Sequence, residues 1–355
     1  MITVQAPGKM ILLGEYAVLE DAPALVAAVD RFSRVTVKEN CSGKHTISAP
    51  NLEIQHIEFT CEDGQVTILN SDVHTRKTLR YCLGVLRYFY KISREEHKRL
   101  PPMEIIIDTS AFYDESGAKF GFGSSASLTV ALLAGLFQYT GLTEVSPSQI
   151  YSHAMRAHSM AQGKRGSGID VAASAFGGAL EFQMPALESD YSDPISRSLP
   201  DDLYYQPVWT GKSASTSEIL QQFYLQKERE PSKYNAIITN LAVIARQGCA
   251  ALTKGETHSF LDNVSEFYHH LELLGEFLKI PVISQEHQQI HAIVTDAGGR
   301  YKPSGAGNGD IGIAFGDSPG IMHRIQQMLN QSRYQLLDAT ITESGVRLTS
   351  AATEV

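Results

Sequence analysis

The sequence predicts an α+β protein in two domains, on three observations. The chain has 355 residues, long enough for two cores of ordinary domain size. Short alternating or uniformly apolar runs, read as strands, share it with runs at three- and four-residue spacing, read as helices. Between Met184 and Asp202 the composition shifts to Pro, Ser and Asp, which marks a boundary. The expected domains are 1–190 and 191–355.

The elements follow in order. Thr3 to Ala6 reads as a strand, Pro7-Gly8 as a turn and Met10 to Leu13 as a second apolar run. Ala24 to Val29 is apolar throughout, so a buried strand is expected. Arg34 to Val37 alternates, as a half-exposed strand does, and Thr46 to Leu69 reads as a hairpin or meander. Leu79, Leu83, Leu86 and Tyr90 recur at helical spacing. Glu104 to Asp108 is a strand. Leu128 to Phe137 is nearly all apolar, the mark of a helix buried on most faces. Pro147 to Ala161 is a helix that Ser146 can cap. Ala179 to Phe182 is a strand.

The second half opens with a strand, Tyr204 to Trp209. Three helices follow. Phe260, Val264, Phe267, Leu271, Leu274 and Leu278 form a stripe on the third, read as a core face. His269-His270, on the same helix, is expected at the surface. A fourth helix spans Gln285 to Ala297. The strand Ile311 to Phe315, the helix Gly320 to Asn330 and a strand near Tyr334 to Thr340 close the chain.

A net charge of −9 argues against nucleic acid or an anionic membrane as the main partner. Cys41, Cys61, Cys82 and Cys249 show neither zinc spacing nor a disulfide framework. They are expected as core thiols in a reducing, cytoplasmic setting. No basic segment leads into an apolar one at the N-terminus, so no signal peptide is expected. No apolar run reaches the roughly 18 residues of a membrane span. The longest candidate, from Leu128, breaks at Gln138.

Lys119-Phe120-Gly121-Phe122-Gly123-Ser124-Ser125-Ala126-Ser127 feeds the buried helix. A Gly-rich turn there aims backbone N–H groups outward, and the helix dipole adds about half a positive charge. That combination binds phosphate, because small residues let it reach the backbone. On this stretch alone, a glycine turn capped by Ser124 or Ser125 stays open. Two more glycine-rich segments, 7–16 and 302–310, carry lysines, and a fourth at 166–170 carries an Asp. Gly211-Lys212-Ser213 is no Walker A end, because Gln206 stands where its first Gly must be. Gly307 to Gly312 has dinucleotide spacing but leads into a strand, which reverses the required context. No protein-kinase motif set is present.

Pro7-Gly8-Lys9 with Gly14-Glu15-Tyr16-Ala17-Val18, then Gly121 to Ser127, then Lys302-Pro303-Ser304-Gly305-Ala306-Gly307 resemble three ordered motifs. They are those of the galactokinase, homoserine kinase, mevalonate kinase and phosphomevalonate kinase superfamily. The match runs end to end. Within it the chain is most similar to the phosphomevalonate kinase branch. The marks are Gly-Glu-Tyr at 14–16, Lys119-Phe120-Gly121, Trp209 to Ser217, and Asp310 closing the third motif. Asn308 departs from the glycine common there.

The resemblance implies a two-lobed small-molecule kinase. Its N-terminal lobe would be of the ribosomal protein S5 domain 2 type, and its C-terminal lobe ferredoxin-like. It implies phosphorylation of mevalonate 5-phosphate by ATP with Mg2+. Mevalonate kinase, another small-molecule kinase of the superfamily, or a non-catalytic sensor are the alternatives. The entry Pro7-Gly8-Lys9 speaks against diphosphomevalonate decarboxylase. The implied catalytic residues are Lys9 and Asp170, with a helix cap as the other reading of Asp170. ATP would meet Lys119, Gly121, Gly123, Ser124, Ser125, Ala126 and Ser127, with Ser125 on the metal. Ser159 stands where many relatives place a second acidic ligand. Acceptor contacts would come from Glu15, Tyr16, Ser167, Gly168, Ser213, Ala214, Ser215, Lys302, Ser304, Gly305, Ala306 and Gly307. Lys164, Arg165 and Lys212 are further candidate cations. A monomer or homodimer is expected.

Overall fold

The computed structural model describes residues 1–62, 65–97, 100–142, 146–162, 166–184 and 193–349. The first half holds strands β1 (Ile2–Leu13), β2 (Ala24–Glu39), β3 (His45–Ala49), β4 (Ile54–Glu62) and β5 (Gln65–Ile68). Helices α1 (Val73–Thr78) and α2 (Arg80–Glu95) and strand β6 (Met103–Asp108) come next. Helices α3 (Ser124–Thr140), α4 (Pro147–Gln162) and α5 (Ile169–Phe176) precede strands β7 (Ala179–Phe182) and β8 (Ile195–Arg197). The second half begins with β9 (Tyr204–Trp209), α6 (Thr216–Arg229), α7 (Pro231–Lys254), α8 (Thr257–Leu278) and α9 (Gln285–Asp296). Strands β10 (Arg300–Pro303) and β11 (Ile311–Gly316), helix α10 (Pro319–Asn330) and strands β12 (Gln335–Leu336) and β13 (Arg347–Thr349) complete it.

Among the described residues, two sheets organise these elements. The first runs β13-β1-β2-β6-β3-β4-β5, with β7 on the free half of β2 and β8 on β7. All its pairings are antiparallel except β3 with β6. The second is antiparallel, in the order β10-β11-β9-β12. Its chain order, strand–helices–strand–strand–helix–strand, with the first strand inside, is the split βαβ arrangement. The expected α+β class is therefore observed.

Strand β1 places the site because both of its faces are buried. Val4, Ala6 and Ile11 face a core shared with α2 to α5. Met10, Leu12 and Leu13 face the other core, with Trp209, Phe223 and α7 to α8. The alternation along one strand, reset by the register shifts at Pro7/Gly8 and Ile11/Leu13, thus joins the two halves. The strands do not respect a cut at residue 190: Ile195–Arg197 and Arg347–Thr349 both pair into the first sheet.

Several expectations are corrected. Pro7-Gly8 is no turn but an irregularity inside one 12-residue strand, with the register to β2 shifting between them. A side chain at Gly8 would meet the Phe122 carbonyl at 2.7 Å, and the Lys9 N–H donates to that same oxygen at 2.8 Å. Ala24 to Val29 and Arg34 to Val37 are one 16-residue strand, not two. Lys302-Pro303 belongs to a strand. Of the four thiols, Cys82 and Cys249 are buried, Cys61 is half-buried and Cys41 is exposed, in a turn.

Helix α7, at 24 residues, is long and apolar enough by length and composition to cross a membrane, which the sequence reading overlooked. Its buried residues, including Ile238, Leu241, Ala245, Cys249 and Leu252, form one stripe, as on the core face of an amphipathic helix.

Candidate active site

The N-terminus of α3 sits at the centre. Leu132, Leu133, Leu136 and Phe137 are buried, so the helix is fixed by packing all round. Gly123 caps it with φ 78°, and Gly121 has φ 105°, conformations that glycine adopts without strain. A Cβ on Gly123 would lie 3.1 Å from Lys9 Cγ and 3.8 Å from Asp170 Cβ. The cradle is thus bare backbone between a lysine and an aspartate. The first-turn amides have no acceptor within a helix. The fourth, on Ser127, bonds to the Gly123 carbonyl at 3.2 Å. Ser124, Ser125 and Ala126 supply the donors.

Ser127 corrects an expectation. It is fully buried, its Oγ donates to Ala6 O at 2.7 Å, and it accepts from Ser33 N at 3.2 Å. It fastens the helix to β1 and β2 and does not face the cleft. The Ala126 side chain is also buried. Ser124 and Ser125 line the cleft.

Lys9 is 7% exposed, and its Nζ donates to Gly121 O at 3.3 Å. Burial lowers its pKa, while Asp170, Asp310 and Glu15 act in the opposite sense. Asp170 stands in the first turn of α5, and its Oδ1 accepts from Val171 N at 3.0 Å. It meets a first-turn amide and faces Lys9, but the cap of the helix is Gly168, with no side-chain capping bond, so the capping reading of Asp170 is corrected. His158 is buried close by, with Nε2 lacking a partner among the described residues.

The third motif is tied to the first. The Tyr16 hydroxyl donates to Ala306 O, and burial raises its pKa far above the ordinary value. Ile11 N donates to Ser304 Oγ at 2.7 Å, and Gly305 N to Glu15 Oε1 at 3.4 Å. Tyr16 and Glu15 line the cleft but spend these bonds bracing the third loop. Lys302 is a further correction: it is fully buried, and its Nζ donates to Glu15 Oε1 and to Ile11 O. It does not line the cleft. Gly307 packs against the Val282 carbonyl, also away from the cleft.

The segment after β9 closes the ring. Ser213 Oγ accepts from Lys119 N at 3.1 Å and donates to Lys119 O at 3.0 Å. Lys119 is exposed beside Tyr113. Lys212 pairs with Glu286 at 3.0 Å and is not part of the cleft wall. Lys164 and Arg165 lie outside the described residues.

Asp310, noted in the sequence only as a closing mark, is a cleft residue. Its Oδ1 accepts from Ala214 N at 2.9 Å. Burial pushes its pKa up to about 6 against the opposing pull of the Ala214 amide, Lys9 and Lys119. What the sequence offered was an Asp ending a glycine run, with no sign of what it would face.

The three glycine-rich segments do converge. One cleft of about 670 Å3 is lined by Lys9, Gly121–Ser125, Ser167, Asp170, Ser213–Ser217, Ser304–Ala306 and Asp310. Gly168 borders it as the cap of α5. A cleft of this size holds a ligand of small-molecule dimensions. Bare amides at a helix N-terminus flanked by lysines suit phosphate groups. No group of three or more acidic, His or Cys side chains that could hold a metal occurs among the described residues.

Residues 80–178 match the family model of the GHMP kinases N terminal domain. Over 341 residues the chain is 28% identical to the phosphomevalonate kinase of Streptomyces sp. (strain CL190), covering 89% of this chain and 90% of that protein. It is 27% identical over 240 residues to the mevalonate kinase of Thermococcus sibiricus, 68% and 66% of the two. In fold it resembles the Streptococcus pneumoniae phosphomevalonate kinase solved with phosphomevalonate and AMPPNP. There the TM-score is 0.75 at 20% identity, over 96% of this chain and all of that one.

Proposed function

We infer that this chain, a phosphotransferase that carries a GHMP kinase N-terminal domain, transfers the γ-phosphoryl group of ATP to mevalonate 5-phosphate. The observation that carries the reading is the placement of Lys9 and Asp170 on either side of Gly123, at the open end of α3. In-line phosphoryl transfer needs positioning and charge neutralisation more than covalent chemistry. The amides of Ser124 to Ala126 hold the nucleotide phosphates. Lys9, buried and partly desolvated, faces the group in transfer and neutralises the charge that builds on it. Asp170 orients Lys9. A phosphate acceptor is already anionic and hardly needs a general base.

The donor set fits a magnesium ion held by the Ser125 hydroxyl and phosphate oxygens, since Mg2+ takes few protein ligands. It would supply further charge neutralisation. The acceptor would lie against Ser213 to Ser215 and the Ser304–Ala306 backbone. The choice of a phosphorylated acceptor is supported by the similarity to the Streptomyces enzyme over nine-tenths of both chains. An alcohol acceptor is the second reading, favoured by the Lys9–Asp170 pair, because an aspartate so placed can take a hydroxyl proton.

The test offers purified protein, with magnesium-ATP, four acceptors separately: mevalonate 5-phosphate, mevalonate, homoserine and galactose. Turnover on the first alone is expected. Turnover on mevalonate alone makes Asp170 a base and replaces the reading. Silence on all four removes the activity.

A further inference from the structure

Asp310 presents a problem that the phosphoryl-transfer reading leaves unsolved. A cleft built for polyanions has a carboxylate in its wall. The structure holds it there deliberately. Its backbone is left-handed, φ 58°, a conformation that costs a non-glycine residue energy and persists only where the surroundings enforce it. Four hydrogen bonds enforce it. Asp310 N donates to Lys212 O at 2.8 Å, and its carbonyl accepts from Thr210 N at 3.0 Å and Thr210 Oγ1 at 2.8 Å. Oδ1 takes the Ala214 amide. Oδ2 is left over the phosphate loop, 2.9 Å from where a Cβ on Gly121 would be.

The charged groups facing it are Lys9 from β1 and Lys119 from the loop before α3. From the segment after β9 comes Lys212, whose ammonium is engaged by Glu286. Asp170 and Glu15 share the cleft, but among the described residues no acidic group figures among the causes that shift Asp310. Even so, its pKa stands at about 6. Entry of a polyphosphate changes the balance in one direction. Lys9 and Lys119 turn their charge to the ligand, and new anionic oxygens stand near Oδ2. Both changes favour the protonated form.

We propose that Asp310 takes up one proton when a polyphosphate enters the cleft and, as the neutral acid, donates from Oδ2 to a phosphate oxygen while Oδ1 keeps the Ala214 amide. The proton comes from solvent, one per ligand bound, and returns when the ligand leaves. The strained backbone then has a use: it aims a switchable donor at the phosphates without adding a fixed charge. The proposal rests on the reading of the cleft as a phosphate site, but not on the identity of the acceptor.

The test titrates inorganic tripolyphosphate, without metal, into the full chain by calorimetry in buffers of different ionisation enthalpy. Wild type and Asp310→Asn are compared from pH 5.5 to 8. The asparagine keeps an acceptor for Ala214 N and offers a fixed donor. At pH 7.5 the wild type should take up at least half a proton more per ligand than the variant. The variant should bind about tenfold tighter than wild type at pH 7.5, the gap closing by pH 5.5, as a carboxyl titrating near 6 requires. Equal proton uptake overturns the proposal. So does tenfold weaker binding by the variant at pH 7.5, which would mean the anion itself is needed, as for holding a metal ion. If Asp310→Asn does not fold, the wild type alone decides: no uptake beyond that of the probe's own phosphates overturns it. Failure of tripolyphosphate to bind the wild type removes the phosphate site and the proposal together, whereas binding without the extra proton removes only the proposal.

Discussion

Lys302 and Glu15, 287 positions apart in sequence, form a fully buried ion pair beneath the cleft. The lysine lies on β10 of the second sheet and the glutamate just after β1 of the first. Burial lowers the lysine's pKa, and Glu15 opposes that shift. Removing one partner strands the other charge in the core, which costs about 3–5 kcal/mol. Lys302→Met is therefore expected to lower the midpoint of urea unfolding sharply. Adding Glu15→Leu should recover most of the loss. A single variant as stable as wild type would show that the pair is not closed in solution.

Lys9 should behave in the opposite way. Its charged form is already disfavoured by burial, so Lys9→Met should leave unfolding cooperative. The loss should fall on turnover, by about a hundredfold or more, as for removal of a group that stabilises developing charge. Steady-state kinetics with unchanged nucleotide binding would separate the two effects.

Two serines on one helix should divide by role. Ser127→Ala leaves the buried Ser33 N–H without its partner, at about 1–3 kcal/mol, and should not change the magnesium dependence of turnover. Ser125→Ala should raise the magnesium concentration needed and leave stability within about 0.5 kcal/mol. Reversed results would exchange the assignments.

His287 makes stability depend on pH. Its ring is buried, with Nδ1 at 2.8 Å from the Tyr301 hydroxyl and Nε2 at 3.0 Å from the Gly309 carbonyl. The carbonyl can only accept, so Nε2 carries the proton and Nδ1 accepts from Tyr301. Burial lowers its pKa from 6.5 to about 4. Between those values the unfolded chain binds more protons than the folded one, so stability rises with pH. The contribution is whole above pH 6.5 and lost as pH falls towards 4, amounting to about 3 kcal/mol. His287→Gln should flatten the stability profile across that window. An unchanged slope would assign it to another group.

Much of this was legible in the sequence because it is local. The α3 segment announces itself by an unbroken apolar run after glycines. Lys9, Gly121, Gly123 and Asp170 stand in short motifs that the resemblance to the superfamily singles out. What escaped is whatever depends on direction. Ser125 and Ser127 look alike in a string of small residues. Two positions on a helix are about 200° apart around its axis, so one faces the cleft and the other β1. Lys302 sits in a glycine-rich motif and looks like a phosphate contact, yet as part of a strand it turns inward. Pro7-Gly8 reads as a turn, but Gly8 is needed for the close approach of the Phe122 carbonyl to the strand.

By itself, then, the chain's order of residues determined where most strands and helices run and which loops expose bare amides, and its resemblance to known motifs singled out Lys9 and Asp170. Tertiary structure alone decided that Glu15 is consumed by Lys302, that Tyr16 spends its hydroxyl on Ala306, and that Asp310 faces Gly121. The reason is physical. Backbone propensity and hydrophobic period act over a few residues. The charge a buried group can bear depends on neighbours brought in from hundreds of positions away.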